Sequence, residues 1–278
     1  MATLMGHVKA VRHLILARAS VNFEDLVEQR TVLHAASCGG HEQLVNESLI
    51  GGAHPNLPAK TDRSTPLHQA AGSGHNGIVS SLLLRGANKN ALDLNGRSAL
   101  MWAAAGGHLA AAETLLAAGA DVTIRNLVVS GTAAHQFDAL DEASSRGHVS
   151  IIKAILRYGA DVHACDYLGY GALHHAARYD QQVAVDALIE AGAGVDLRAY
   201  SRSTPLLGAA RHGMHNAAEA LLRYGATVDV QDENGETPLH AACAGRPGAA
   251  VTAPAAMGSR RNCVGQPRSD THGRPLRE

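Results

Sequence analysis

The chain has 278 residues, a net charge of −1 and a pI of about 7.0, so no overall field attracts it to nucleic acid or to an anionic membrane. Aromatic residues make up 3% of the chain and charged residues 18%, whereas hydrophobic residues reach 46%, which excludes a chain that is disordered throughout. The apolar residues are therefore mostly Ala, Leu, Val and Ile, a composition that favours small, regular helices.

The sequence predicts neither a membrane-spanning segment nor a secretory signal. No uninterrupted apolar run reaches the length of roughly 18 residues that a transmembrane helix needs, and the first residues lack a charged and then apolar layout. The cysteines are Cys38, Cys165, Cys243 and Cys263. They lie far apart without a CxxC pair, which favours reduced thiols. We therefore expect a cytoplasmic or nuclear protein.

In chain order, the first predicted element is a helix over residues 6–16. A string of the type Thr-Pro-Leu-His-x-Ala-Ala then recurs, complete at Thr65–Ala71 and weaker at Ser98–Ala104 and Asp138–Ser144. Each copy contains a leucine, and successive leucines are 34, 33, 40, 33, 33 and 33 residues apart. These leucines are Leu33, Leu67, Leu100, Leu140, Leu173, Leu206 and Leu239. The near-constant period indicates a repeated structural unit.

Each unit predicts two helices followed by a loop. Thr65 suits an N-cap and Pro66 suits the first helical position, where a missing N–H costs nothing. A Gly-His pair separates this helix from a second apolar stretch, and Gly86 suits the left-handed residue that ends it. Asn95-Gly96 then favours a tight turn. Because one unit cannot bury its apolar face alone, we expect the units to stack into an elongated solenoid.

The period of about 33 residues and the Thr-Pro-Leu-His-x-Ala string resemble the ankyrin repeat family over roughly residues 1–244. The resemblance implies an all-α solenoid of helix-turn-helix units with hairpin loops, containing about six full repeats and two half repeats. It also implies protein binding through a concave groove, and structural hydrogen bonds for the histidines at recurring positions.

The predicted organisation is one solenoid over residues 1–245 and a tail over 246–278, which is rich in Arg, Gly and Pro and expected to be disordered. Extra residues at about 127–137 predict a longer finger or loop, before a repeat in which Asp138 stands at the cap position. That segment is either a floppy loop beside a decayed repeat or an apolar partner contact. The predicted half and full repeats are 1–27, 28–61, 62–94, 95–127, 135–167, 168–200, 201–233 and 234–245.

No pattern in the sequence indicates catalysis. GxxxxGK[ST], HExxH and GxSxG motifs are absent from the chain. Nine of the 17 histidines stand at recurring positions of the repeat. His174-His175 and the pair His212 and His215 remain as possible ligands, but no nearby cysteine pair completes a zinc site. We therefore predict no enzyme, no cofactor, no metal and no small-molecule substrate.

The candidate binding residues follow from the resemblance, since ankyrin-like proteins bind partners through hairpin tips and the exposed ends of first helices. In this sequence, four of the six tyrosines and two arginines occupy such positions, and both residue types are enriched at binding hot spots. The predicted partner-binding residues are Tyr167, Tyr170, Arg178, Tyr179, Tyr200, Arg211 and His212. Packing of surface tyrosines on adjacent hairpins is the other interpretation. Trp102 is expected to pack between helices rather than reach a ligand.

The charge of the solenoid bears on the class of partner. Without the six Arg and two acids of the tail, it keeps 18 basic and 23 acidic residues, a net charge of −5 that disfavours nucleic acid. We predict a protein–protein interaction scaffold whose partner presents an acidic or mixed acidic-apolar segment to the Tyr and Arg positions. The alternative is a regulatory or substrate-recognition part of a larger enzyme or signalling protein, whose catalytic domain lies outside this chain.

Overall fold

The computed structural model describes residues 8–25, 29–126, 128–130 and 133–244, and the predicted tail lies outside these ranges. Helix α1 spans Val8–Leu16, and the helices after it come as pairs of a first and a second helix. The pairs are α2 Val32–Cys38 with α3 Glu42–Ile50, α4 Pro66–Gly72 with α5 Asn76–Leu84, α6 Ala99–Gly106 with α7 Leu109–Ala117, α8 Ala139–Ser145 with α9 Val149–Arg157, α10 Ala172–Arg178 with α11 Gln182–Glu190, and α12 Pro205–His212 with α13 His215–Arg223. The helix α14 spans Pro238–Ala244.

The helices form two layers. Each first helix contacts the first helices of the neighbouring repeats, from α2 to α14, and each second helix contacts the neighbouring second helices, from α1 to α13. The two helices of each pair also pack against each other. The all-α solenoid that the period predicts is therefore confirmed. Within the described ranges, strands occur only in a hairpin of β1 (Val128–Ser130) and β2 (Ala133–His135), which pair antiparallel.

The recurring leucines form the core between the layers. Six of them are at most 3% exposed, namely Leu33, Leu67, Leu100, Leu140, Leu173 and Leu206. Each buried leucine contributes about 2 kcal/mol of hydrophobic stabilisation. The alanines that follow, such as Ala70 and Ala71, are fully buried, and their small side chains let neighbouring helices approach closely.

Where the string has a histidine inside the stack, this histidine links its repeat to the next. In His34, His68 and His174, Nδ1 accepts from the backbone N–H three residues earlier, at 3.2, 3.1 and 3.3 Å. The proton therefore lies on Nε2, which donates to a carbonyl oxygen of the following loop. The acceptors are Ser64 at 3.0 Å, Arg97 at 2.9 Å and Ser203 at 3.3 Å. The predicted structural role is confirmed at these three positions.

Buried aspartates shape the hairpin loops. The Oδ1 atom of Asp166 accepts from the backbone N–H of Leu168 at 2.9 Å and of Tyr170 at 2.8 Å, and Asp93 and Asp232 make the same pair of bonds in their own loops. Successive loops are also joined, because the N–H of Tyr200 donates to the carbonyl of Leu168 at 2.9 Å. The loops are thus held in place by their own residues.

The region around the β-hairpin departs from the regular unit. Asp138 caps α8, since its Oδ1 accepts from the N–H of Leu140 at 2.9 Å and of Asp141 at 3.0 Å. Asp141 stands where the string has histidine, and its Oδ2 accepts from the N–H of Asp138 at 3.1 Å. Arg125, just before the hairpin, approaches both carboxylates at 3.0 and 3.7 Å. The cap survives although the string is altered.

Candidate functional site

The loops and the C-terminal ends of the first helices form one face of the solenoid, which we call the groove face. Between α10 and α12 this face contains an opening of about 110 Å³, which we call the Gly208 cleft. The cleft is lined by Tyr170, His174, His175, Arg178, Ser203, Gly208, Arg211 and His212.

A missing side chain opens the cleft. Gly208 is in the middle of α12, at the variable position of the string, where the previous repeats carry Trp102, Glu142 and His175. A Cβ atom built on Gly208 meets no atom within 4 Å outside its own helix. No feature of the backbone at Gly208 requires glycine, because it lies within a regular helix where glycine is destabilising.

Four of the seven predicted binding residues come together here. Tyr170 and Arg178 belong to one repeat and Arg211 and His212 to the next, and all four line the cleft. The other three predicted residues, Tyr167, Tyr179 and Tyr200, lie outside the lining, with 46%, 48% and 76% of their surface exposed. Gly208 was not among the predicted site residues, and His175 was considered only as a possible metal ligand. The signal for Gly208 was the loss of a side chain at a variable groove position.

Tyr170 is held between two repeats. Its hydroxyl lies 3.4 Å from the Ser201 hydroxyl of the next loop, and its ring meets the His174 ring edge-on with centroids 5.2 Å apart. Tyr170 thus packs on the adjacent hairpin loop, which is the alternative to partner binding that the sequence left open for the tyrosines. Tyr200, in contrast, is joined to the preceding loop through its backbone N–H and presents most of its side chain to solvent.

The two arginines differ in their ion pairs. The Nη2 atom of Arg211 lies 3.0 Å from Asp232 Oδ2 and 3.0 Å from Glu236 Oε2, both in the next loop. Arg178, in the same position one repeat earlier, forms no ion pair with any carboxylate in the described ranges. Partial burial and the positive charges of both arginines lower the pKa of His212 below its ordinary value. The cleft therefore has a positive rim with one arginine that is not neutralised.

Trp102 shows what the variable position does when it carries a large side chain. The indole Nε1 donates to Asp93 Oδ2 at 3.0 Å, and the guanidinium of Arg97 lies 5.0 Å from the ring centroid. The ring also fills the space next to Gly72 of the previous repeat, where a Cβ would lie 2.7 Å from it. The expected packing between helices is confirmed, and no cleft opens at this position.

Two further features bear on the class of site. In the described ranges, no cluster of three or more His, Cys, Asp or Glu side chains is arranged to hold a metal ion. None of the helices found there is long and apolar enough to cross a bilayer.

Stacked helix pairs with a period of about 33 residues and histidine links between repeats define a helical repeat solenoid. Two family models match the chain. One, described as ankyrin repeats in three copies, matches residues 1–93, 43–126 and 196–251, and the other, described as ankyrin repeats in many copies, matches residues 140–189. The chain belongs to the ankyrin repeat family.

A solved structure supports the same assignment. The ankyrin repeat domain of human ASB11 superposes with a TM-score of 0.68 at 27% identity, over 80% of this chain and 95% of that domain. The comparison with curated protein sequences gives no match. Ankyrin repeats are protein–protein interaction modules and are typically not catalytic.

Proposed function

We propose that this chain is an interaction scaffold that binds a partner protein through the groove face of α10, α12 and their loops. The observation that carries the proposal is the Gly208 cleft, where Tyr170, Arg178 and Arg211 from two repeats line one opening. Tyrosine and arginine dominate binding hot spots because they combine large contact area with directed hydrogen bonds. No chemistry of its own is required of the scaffold.

The groove face is built before a partner arrives. The loop of Tyr170 is fixed by the Asp166 carboxylate, and the loop of Tyr200 is joined to it by a backbone hydrogen bond. Because these segments are already ordered, less conformational entropy is lost on association. The exposed ring of Tyr200 then supplies contact area beside the cleft.

The second function considered, a regulatory or substrate-recognition part of a larger enzyme or signalling protein, uses the same face. It differs from the scaffold only in having a catalytic domain outside this chain. The identity of the captured partner and the full transcript would distinguish the two functions. For the compartment we infer the cytoplasm or nucleus, because the four cysteines lie far apart in the sequence without a CxxC pair, which favours reduced thiols.

The proposal is tested by capture and footprinting. The full chain is used as bait in a cell lysate, bound proteins are identified by mass spectrometry, and the purified complex is examined by hydrogen–deuterium exchange. We expect slower exchange over residues 166–179 and 199–212 in the complex, and unchanged exchange in the second helices α11 and α13. Protection confined to those second helices, or to the β-hairpin, would place the binding surface elsewhere.

A further inference from the structure

The Gly208 cleft has a shape that a single side chain fits. Its volume of about 110 Å³ is that of one side chain rather than of a folded element. The Tyr170 ring and the bare backbone of Gly208 supply apolar surface within it, and Ser203 and His175 add polar atoms to its lining. At the equivalent position of α6, the protein's own Trp102 fills the corresponding space. The cleft therefore has room for one side chain from outside this chain.

The charges around the cleft select the chemistry of that residue. The Arg211 guanidinium already pairs with two carboxylates, whereas Arg178 has no ion pair in the described part of the chain. One positive charge thus remains without a counterion, within a solenoid whose net charge is −5. A single negative charge complements this arrangement. A doubly charged phosphoryl group would carry excess negative charge towards Asp232 and Glu236, which like charges oppose.

We propose that the Gly208 cleft is an anchor site for one carboxylate side chain, Asp or Glu, of an extended segment of the partner. This inference rests on the proposed function, because it names the residue that the partner inserts at the same groove face. The carboxylate accepts from the Arg178 guanidinium, which offers two parallel N–H donors, and from Arg211 on the other rim. The methylene carbons of the ligand side chain lie against Tyr170 and Gly208.

The probe is a phage-displayed library of random twelve-residue peptides, selected on the full chain. We expect the enriched peptides to share an Asp or Glu. In the synthetic peptide, replacing that acid by Asn or Gln should weaken binding at least tenfold in fluorescence anisotropy. Arg178→Gln should weaken binding by a similar factor, whereas Arg85→Gln, which removes an exposed arginine of the second-helix layer, should leave it within twofold.

The second part of the experiment fills the cleft with a side chain. Gly208→Leu adds a side chain where the structure shows open space, and should weaken binding at least tenfold. Gly208→Ala should have a smaller effect on affinity. Both variants should melt at or above the temperature of the original chain, since alanine and leucine favour helix more than glycine does. This stability check keeps a loss of binding from being mistaken for a loss of fold.

The outcomes separate the anchor from the scaffold. Peptides that lose binding with Tyr200→Ala but share no acid and tolerate Gly208→Leu would overturn the anchor and leave the proposed function standing. A peptide that binds more tightly with phosphoserine in place of its acid would overturn the choice of a carboxylate. If no selected peptide is sensitive to Tyr200→Ala, Arg178→Gln or Gly208→Leu, both the anchor and the proposed groove face are wrong.

Discussion

The helices α8 and α10 carry the same string one repeat apart, yet the residues at its fourth place have opposite chemistry. In α10 this residue is His174, and burial lowers its pKa to about 4. In α8 it is Asp141, and burial together with the nearby Asp138 carboxylate raises its pKa well above the ordinary value. Both shifts favour the uncharged side chain. In these two copies the fourth place therefore holds a buried side chain that accepts a hydrogen bond from the cap residue, whereas α12 has the buried Leu207 there.

The altered string and the extra residues are connected through Arg125. Its guanidinium contacts the carboxylates of Asp138 and Asp141, and one of its nitrogens reaches the Gln136 carbonyl at 3.4 Å across the base of the hairpin. On the far side, the Phe137 ring meets the His175 ring edge-on at 4.4 Å. The altered string of α8 and the extra residues of the hairpin are thus joined by the contacts of Arg125 and Phe137. These contacts lie next to the Gly208 cleft, which His175 lines.

The largest expected effect comes from removing the histidine link. The substitution His174→Ala leaves the Gly171 N–H and the Ser203 carbonyl without their buried partner, at a cost of about 4 kcal/mol in unfolding free energy. The matched control is His240→Ala in α14, where Nδ1 bonds instead to the Thr237 hydroxyl at an exposed position, and the loss should be about 1 kcal/mol or less. Urea denaturation of both variants measures the difference. Equal losses would contradict the structural role of His174.

The second effect is loss of stability in acid. His174 has a pKa of about 4 in the fold against an ordinary value of 6.5, so the unfolded chain binds the proton first. Its contribution is fully present above pH 6.5 and is lost as the pH falls towards 4, a change of about 3 kcal/mol. Burial also lowers the pKa values of His34 and His68, which adds to the loss.

The measurement is the urea midpoint at pH 7 and pH 4.5. The variant His174→Gln, which keeps a polar side chain but has no titrating group, should show a smaller decrease between the two pH values. If both proteins lose the same stability, protonation of His174 is not the cause.

The third effect has the opposite sign and concerns Asp141. A carboxyl group whose pKa is raised in the fold stabilises it most below the ordinary value of 3.8, and loses that contribution as the pH rises through the folded pKa. Asp141→Asn keeps an acceptor for the Asp138 N–H and removes the titrating group. We expect about 1 kcal/mol of added stability at pH 7 and no gain near pH 3. A loss at pH 7 would show that the ion pair with Arg125 outweighs burial.

The sequence was enough to predict the fold because the repeat encodes it locally. Leucines such as Leu67 are buried in six of the seven copies, and a cap residue such as Thr65 precedes the first helix in most of them, so their spacing alone predicts the helix pairs. The contacts of the candidate site were not predictable in this way. The ion pair of Arg211 with Glu236 and the edge contact of Phe137 with His175 join residues from different units, and their geometry depends on how the units stack.

Gly208 illustrates the remaining gap. The sequence shows that Gly208 has no side chain where other repeats have one. The resulting cleft, however, is also lined by Arg178 and Tyr170 of the preceding repeat, whose positions only the structure gives. Only the structure shows which tyrosines are packed and which are exposed. Tyr170 is packed against His174 and Ser201, whereas Tyr200 is exposed, although both stand at hairpin positions in the sequence.

The central claim is that the string residues hold the solenoid while the groove face binds. It is tested most directly by measuring affinity for the captured partner and melting temperature together in Tyr170→Ala, Tyr200→Ala and Arg211→Ala, with Tyr224→Ala at the end of α13 as control. We predict about 2 kcal/mol lost in binding for at least Tyr200→Ala, with an unchanged melting temperature. We expect some loss of stability in Arg211→Ala, because it pairs with Asp232 of its own repeat and with Glu236 of the next. Affinity that stays level in all three variants would contradict the claim, and the β-hairpin region would become the next candidate.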